Sequence, residues 1–101
     1  MKHTLTTLEA ATLLYNDEFA GWSRDGAMAL VEHLEQFEED TGESIEFDPI
    51  AFRCDYSEYD SALEAAEQYT ADCDTEKTAL EFLEWRTTVI KFKGGIIIQN
   101  F

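Results

Sequence analysis

The chain has 101 residues, with 22 Asp and Glu against 7 Lys and Arg, for a formal net charge of -15. That length supports one hydrophobic core and excludes several, and so negative a chain repels nucleic acid and anionic membranes and draws cationic partners. Disorder is excluded too, because 45% of residues are apolar and 13% aromatic, enough large apolar surface to offset the entropy lost on ordering.

In chain order, Thr6 followed by Thr7 to Tyr15 predicts a short helix, with a threonine cap and Glu9 three positions beyond it. Asn16 to Trp22 reads as a connection. Ser23 then caps a longer helix whose apolar residues Ala27, Leu30, Val31, Leu34 and Phe37 recur at helical spacing, ending at Gly42. The run from Phe47 to Tyr56 alternates, with Ile50, Phe52, Cys54 and Tyr56 on one side and Ala51, Arg53 and Asp55 on the other. It predicts a half-buried strand near 48–56, with Pro49 at its tolerated start and Cys54 as a small buried apolar residue. Ser57 to Tyr69 returns to helical spacing through Leu63, Ala66 and Tyr69, and Thr75 caps a further helix carrying Ala79, Leu80 and Leu83. Strands near 87–93 and 96–101 flank Gly94-Gly95, a two-residue hairpin signal. The expectation is a single α+β domain over 1–101, a three-stranded antiparallel sheet with about four helices packed mainly on one face.

The chain carries no Gly-rich phosphate loop, G-x-S-x-G elbow or H-E-x-x-H pair. His3 and His33 read as surface or boundary residues with no nucleophile beside them in sequence. Asp72-x-Asp74-x-Glu76 starts like a calcium loop but lacks the turn glycine and the bidentate glutamate at its twelfth position. Asp55, Glu58 and Asp60 offer carboxylates to Mg²⁺, but a nuclease also needs bases to hold its anionic substrate. No enzyme activity, metal or cofactor is therefore expected. Cys54 and Cys73 match no C-x-x-C spacing and read as reduced thiols, and Trp22 and Trp85 read as core and rim residues. With no bilayer-length apolar run and no signal-peptide core behind Met1, the expected compartment is the cytoplasm and the expected partners exclude membranes.

The charge itself is patterned. From Glu32 to Glu84 there are 18 carboxylates and two bases, Arg53 and Lys77. The densest part is Glu32, Glu35, Glu38, Glu39, Asp40, Glu43, Glu46 and Asp48, followed by a second row of Asp55, Glu58, Asp60, Glu64 and Glu67. Like charges at i,i+3 and i,i+4 each cost about 0.2–0.5 kcal/mol, and acids in a last helical turn face the negative end of the dipole. A local rule broken repeatedly without compensation marks function; an alternative is a solvated face adapted to high salt. Duplex DNA presents one charge per about 1.7 Å of axis, so fifteen net charges match roughly 25 Å of duplex. A groove of Lys and Arg built for phosphates would accept such a surface.

The stretches Glu39-Asp40-Thr41-Gly42-Glu43, Ile50 to Tyr59, Thr87-Thr88-Val89-Ile90 and Ile97-Ile98-Gln99-Asn100-Phe101 resemble a family of small acidic proteins from phages and mobile elements, over about the last two thirds of the chain. The resemblance implies a phage-borne protein that disarms host defence in the host cytoplasm. Together with the acidic face it points to the class of DNA-mimicking anti-CRISPR or antirestriction inhibitors, and it implies no catalytic residues. The expected partner is a basic DNA-binding protein or a CRISPR effector complex, with no direct nucleic-acid binding. An acidic regulator or chaperone of a basic protein is the alternative from another class.

Overall fold

A computed structural model describes residues 6–69 and 72–101. The chain divides into two compact units, Met1–Arg53 and Cys54–Phe101; one domain over 1–101 is what chain length predicts.

In the first unit, helix α1 (Thr7–Tyr15) starts at the expected capping box: Glu9 N–H donates to Thr6 Oγ1 and Thr6 N–H donates to Glu9 Oε1. These two bonds satisfy donors that a helix start otherwise leaves open. Helix α2 (Arg24–Thr41) begins where Ser23 Oγ accepts from Gly26 N–H at 2.9 Å. It stops at Gly42, whose φ of 73° is left-handed and favours glycine. Ala10, Ala11 and Leu14 of α1 and Ala27, Leu30, Val31 and Leu34 of α2 form the buried faces of this helix pair, and each buried leucine or valine contributes about 1.5–3 kcal/mol.

The strand expected near 48–56 is corrected. Pro49–Asp55 is a helix, α3, and the first strand, β1, spans Tyr56–Tyr59. The reason lies at the start. Asp48 Oδ1 accepts from Ala51 N–H and Asp48 O from Phe52 N–H, so Asp48 is the cap and Pro49 takes the first helical position, where its missing N–H costs nothing. Only Phe52 of α3 is buried, and one buried residue in seven leaves no 3.6-residue period to read. Cys54 is accordingly exposed instead of facing a core. Arg53 Nη1 donates to both oxygens of Asp17, at 3.0 and 3.3 Å, and the guanidinium lies over the Phe19 ring. Trp22 is buried as expected, with its indole N–H meeting no acceptor among the described residues.

The second unit holds β1, α4 (Ala62–Gln68), α5 (Glu76–Arg86), β2 (Val89–Phe92) and β3 (Gly95–Gln99). The expected helix over Ser57 to Tyr69 is corrected in its first part: residues 57–59 belong to β1, and helix begins only after the Ser61 cap. With α3 included, the described residues hold five helices where about four were expected. The three-stranded antiparallel sheet is present in the order β1-β3-β2, so the α+β expectation holds. Tyr56 pairs with Gln99, Tyr59 and Lys91 with Ile96, and Val89 with Ile98. β3, the central strand, buries Ile96, Ile97 and Ile98 in succession, so side chains on both of its faces are covered.

Ile96 and Ile98 face a cluster made by Ala62, Ala65 and Ala66 of α4 and Ala79 and Leu83 of α5, with Val89 packed against it. The alanines let the two helices approach closely. The glycines of the β2–β3 turn serve different ends: Gly94 takes a φ of 108°, whereas a Cβ on Gly95 would sit 2.5 Å from the carbonyl oxygen of Tyr59. Asn100 fastens the end of β3 to the start of β1, through Nδ2 to Cys54 O, N–H to Asp55 O, and Oδ1 accepting from Ser57. Trp85 is neither core nor rim, being 82% exposed at the end of α5 with Arg86 over its ring.

Candidate partner-binding surface

Of the thirteen carboxylates expected to form the acidic face, the eight from Glu32 to Asp48 belong to the first unit and the five from Asp55 to Glu67 to the second.

On α2, Glu32, Glu39 and Asp40 are exposed on the side away from Ala27, Leu30 and Leu34. Asp25, also exposed, precedes Glu32 by the same seven residues that separate Glu32 from Glu39. Seven residues return a helix to within about 20° of its starting direction and advance it about 10.5 Å. Asp25, Glu32 and Glu39 therefore form one stripe of carboxylates. Sequence reasoning left Asp25 out because it lies before the dense segment, although the seven-residue interval was the signal. Beyond Gly42 the stripe is followed by Glu43 and Glu46, both exposed.

Other members of this row have structural partners. Glu35 is half-buried and accepts from Thr7 Oγ1 at 2.6 Å, tying α2 to α1. Glu38 is half-buried and accepts from Ile45 N–H at 2.7 Å, folding the segment after α2 back on the helix. Asp40 accepts from Gln36 Nε2, and Asp48 caps α3. The residues with least internal duty are Glu32, Glu39, Glu43 and Glu46. Among the described residues these four form no ion pair, and the last turn of α2 holds no base.

In the second unit Asp55, Asp60, Glu64 and Glu67 are exposed and Glu58 is half-buried on β1, paired with Ile97. Glu64 lies in the first turn of α4, where a carboxylate complements the dipole, so this row is less at odds with local stability than the α2 row. Tyr56 is held above its ordinary 10.0 by burial and, secondarily, by the charge of Asp55, and so adds no negative charge at neutral pH.

The bases give little neutralisation. Arg53 is bound to Asp17, whose side chain is 9% exposed, and Lys91 lies 3.9 Å from Glu84 with both side chains open to solvent, a geometry worth little. No cluster of three or more His, Cys, Asp or Glu among the described residues is arranged to hold a metal ion, and Glu76 of the calcium-like stretch turns instead to the start of α4, where it accepts from Ala62 and Leu63 N–H. No described helix is long and apolar enough to cross a membrane. His3 lies outside the described residues. The chain matches no family model, no curated protein and no solved structure.

His33, half-buried on α2, is held below its ordinary value of 6.5 by burial. The unfolded chain thus takes up this proton more readily than the folded one. The stability that neutral His33 supports is complete above 6.5 and is lost as pH falls through the lowered folded value. Replacement His33→Gln is expected to flatten this part of the stability curve. Urea titrations between about pH 7 and about pH 5 test it; parallel curves for the two proteins would contradict it.

Proposed function

We propose that this protein is a stoichiometric inhibitor of a DNA-binding defence complex, a CRISPR effector before a restriction enzyme, and that its acidic surface takes the place of DNA in the basic channel of its target. The observation that carries the reading is the exposed carboxylate stripe of α2 and its continuation through Glu43 and Glu46, without ion-pair partners among the described residues. An 18-residue helix is about 27 Å long, the length of roughly eight base pairs. Between Glu32 and Asp48 the chain has eight carboxylates and no Lys or Arg. A channel lined with Lys and Arg attracts such a surface as it attracts phosphates, and long-range attraction raises the rate of encounter. The resemblance to small acidic phage and mobile-element proteins supplies the biological setting. No step of this mechanism requires bond making or breaking by the inhibitor.

The test is competition. Labelled target DNA is bound to purified CRISPR effectors and restriction enzymes, and the protein is titrated in at several salt concentrations. The expected result is displacement of DNA from one of these complexes, saturating at a fixed ratio and weakening steeply with salt. Tight binding to a basic protein with its DNA still engaged would replace this reading with that of an acidic regulator or chaperone.

A further inference from the structure

We propose that Phe19 is the apolar anchor by which this protein grips its basic target, seated in an apolar pocket beside the target's channel of Lys and Arg; the inference rests on the inhibitor reading and deepens it. Carboxylates draw such a partner in and raise the rate of encounter, but salt screens them. Lasting attachment depends on a few large side chains that lose their water on contact. Phe19 is 83% exposed, the most open large apolar side chain among the described residues. It lies in the connection between α1 and α2, where one carboxylate holds it in two ways. Asp17 Oδ1 accepts from Phe19 N–H at 3.1 Å, and both oxygens of Asp17 accept from Arg53 Nη1. The Arg53 guanidinium carbon in turn lies 5.4 Å from the centre of the Phe19 ring, within reach of a cation–π contact. Asp17 thus fixes both the backbone of Phe19 and the group that covers part of its ring. A ring this open adds little to the core, and ordering it before contact lowers the entropy lost on binding.

The chain around the ring sets the sign of its partner. Residues 16–22 and 42–53, which supply Phe19 and the groups that hold it, carry Asp17, Glu18, Glu43, Glu46 and Asp48 against Arg53 alone, and Arg53 is taken up by Asp17. Glu18, Glu43, Glu46 and Asp48 are all exposed. A pocket rimmed by Lys and Arg complements them, whereas an acidic surface, a second copy of this chain included, is repelled. Trp85 supplies the contrast. It is 82% exposed, but the Arg86 over its ring forms no ion pair among the described residues, so a cationic rim is opposed there.

Variants titrated against purified CRISPR effectors and restriction enzymes with their DNA bound test the anchor. In the complex whose DNA the parent protein displaces, Phe19→Ser is expected to raise the concentration for half displacement by about tenfold or more. Its melting temperature should stay that of the parent, because the ring is exposed, and so should the slope of log affinity against log salt, because no charge is altered. Trp85→Ser should displace DNA as the parent does. Arg53→Gln should weaken displacement severalfold, with no further loss when Phe19 is already serine, since the two residues act through one contact. Displacement by Phe19→Ser at the parent's concentration, equal loss in Trp85→Ser, or independent losses from Phe19→Ser and Arg53→Gln would each overturn the proposal. If no complex loses its DNA to the parent protein, the inhibitor reading and the anchor fall together, whereas equal displacement by parent and Phe19→Ser removes the anchor and leaves that reading standing.

Discussion

Changing Glu32, Glu39 and Glu43 together to lysine is expected to abolish displacement of DNA while raising the melting temperature of the protein. The two effects have one origin. Glu39 lies in the last turn of α2, where no base is present, and a cation there in place of an anion gains about 0.3–1 kcal/mol from the dipole. The reversals also remove the Glu35–Glu39 repulsion and put a favourable Glu35–Lys pair four residues apart in its place, about 0.2–0.5 kcal/mol each. The sum is near 1 kcal/mol, a rise of about 4–8 °C for a chain of this size. Binding moves the other way, because three attractions to a basic channel become repulsions. Their combined loss of about 3–4 kcal/mol weakens inhibition by a few hundredfold. A protein that becomes more stable and loses its activity in one step is keeping those acids for something other than folding. Titration of the variant against the inhibited complex, beside a thermal melt, reads both quantities. A stabilised variant that still displaces DNA would remove α2 from the interface.

How much of this surface was legible in the sequence depends on how local the deciding interactions are. Helix α2 could be read because both ends carry their signals, Ser23 and Gly42, and Ala27, Leu30, Val31 and Leu34 mark one face over about two turns. The exposure of Glu32 and Glu39 follows from that periodicity. Helix α3 could not be read, because Ile50, Phe52, Cys54 and Tyr56 alternate like a strand while the helix buries only Phe52. The contrary signal was present in Asp48-Pro49, a cap followed by the residue favoured at the first helical position. The engagements of Glu35 with Thr7 and Glu38 with Ile45 span 28 and 7 residues. They depend on where the chain returns, so composition gives these carboxylates the same weight as the unpaired ones. The sheet was legible for a related reason. Gly94-Gly95 sits between two β-branched runs, and the turn fixes their pairing, whereas the short β1 finds its place through Asn100 and the register with β3.

The carboxylate least readable from its neighbours is also the one whose removal should cost most stability. Glu76 opens α5, yet its Oε2 accepts from Ala62 N–H at 2.7 Å and its Oε1 from Leu63 N–H at 3.1 Å, at the first turn of α4. Helix α4 has only seven residues and is far too short to persist alone. Of the N–H groups its start leaves open, those of Ala62 and Leu63 are met by Glu76 and that of Glu64 by Ser61 Oγ, while Ala65 N–H makes the first regular helical bond, to Ser61 O. A bond to a charged acceptor contributes about 1.5–3 kcal/mol, and an anion at a helix start adds to it. Solvent exposure of Glu76 reduces that total, so Glu76→Ala is expected to destabilise by about 2 kcal/mol, or roughly 10 °C in melting temperature. Glu76→Gln, which keeps an amide oxygen but not the charge, should lose about half as much. Glu81→Ala, at an exposed position one turn and a residue further along α5, should stay within about 0.5 kcal/mol of the parent. Equal melting of all three variants would show that α4 needs no carboxylate at its start, and that Ala62, Ala65 and Ala66 hold it in place by packing alone.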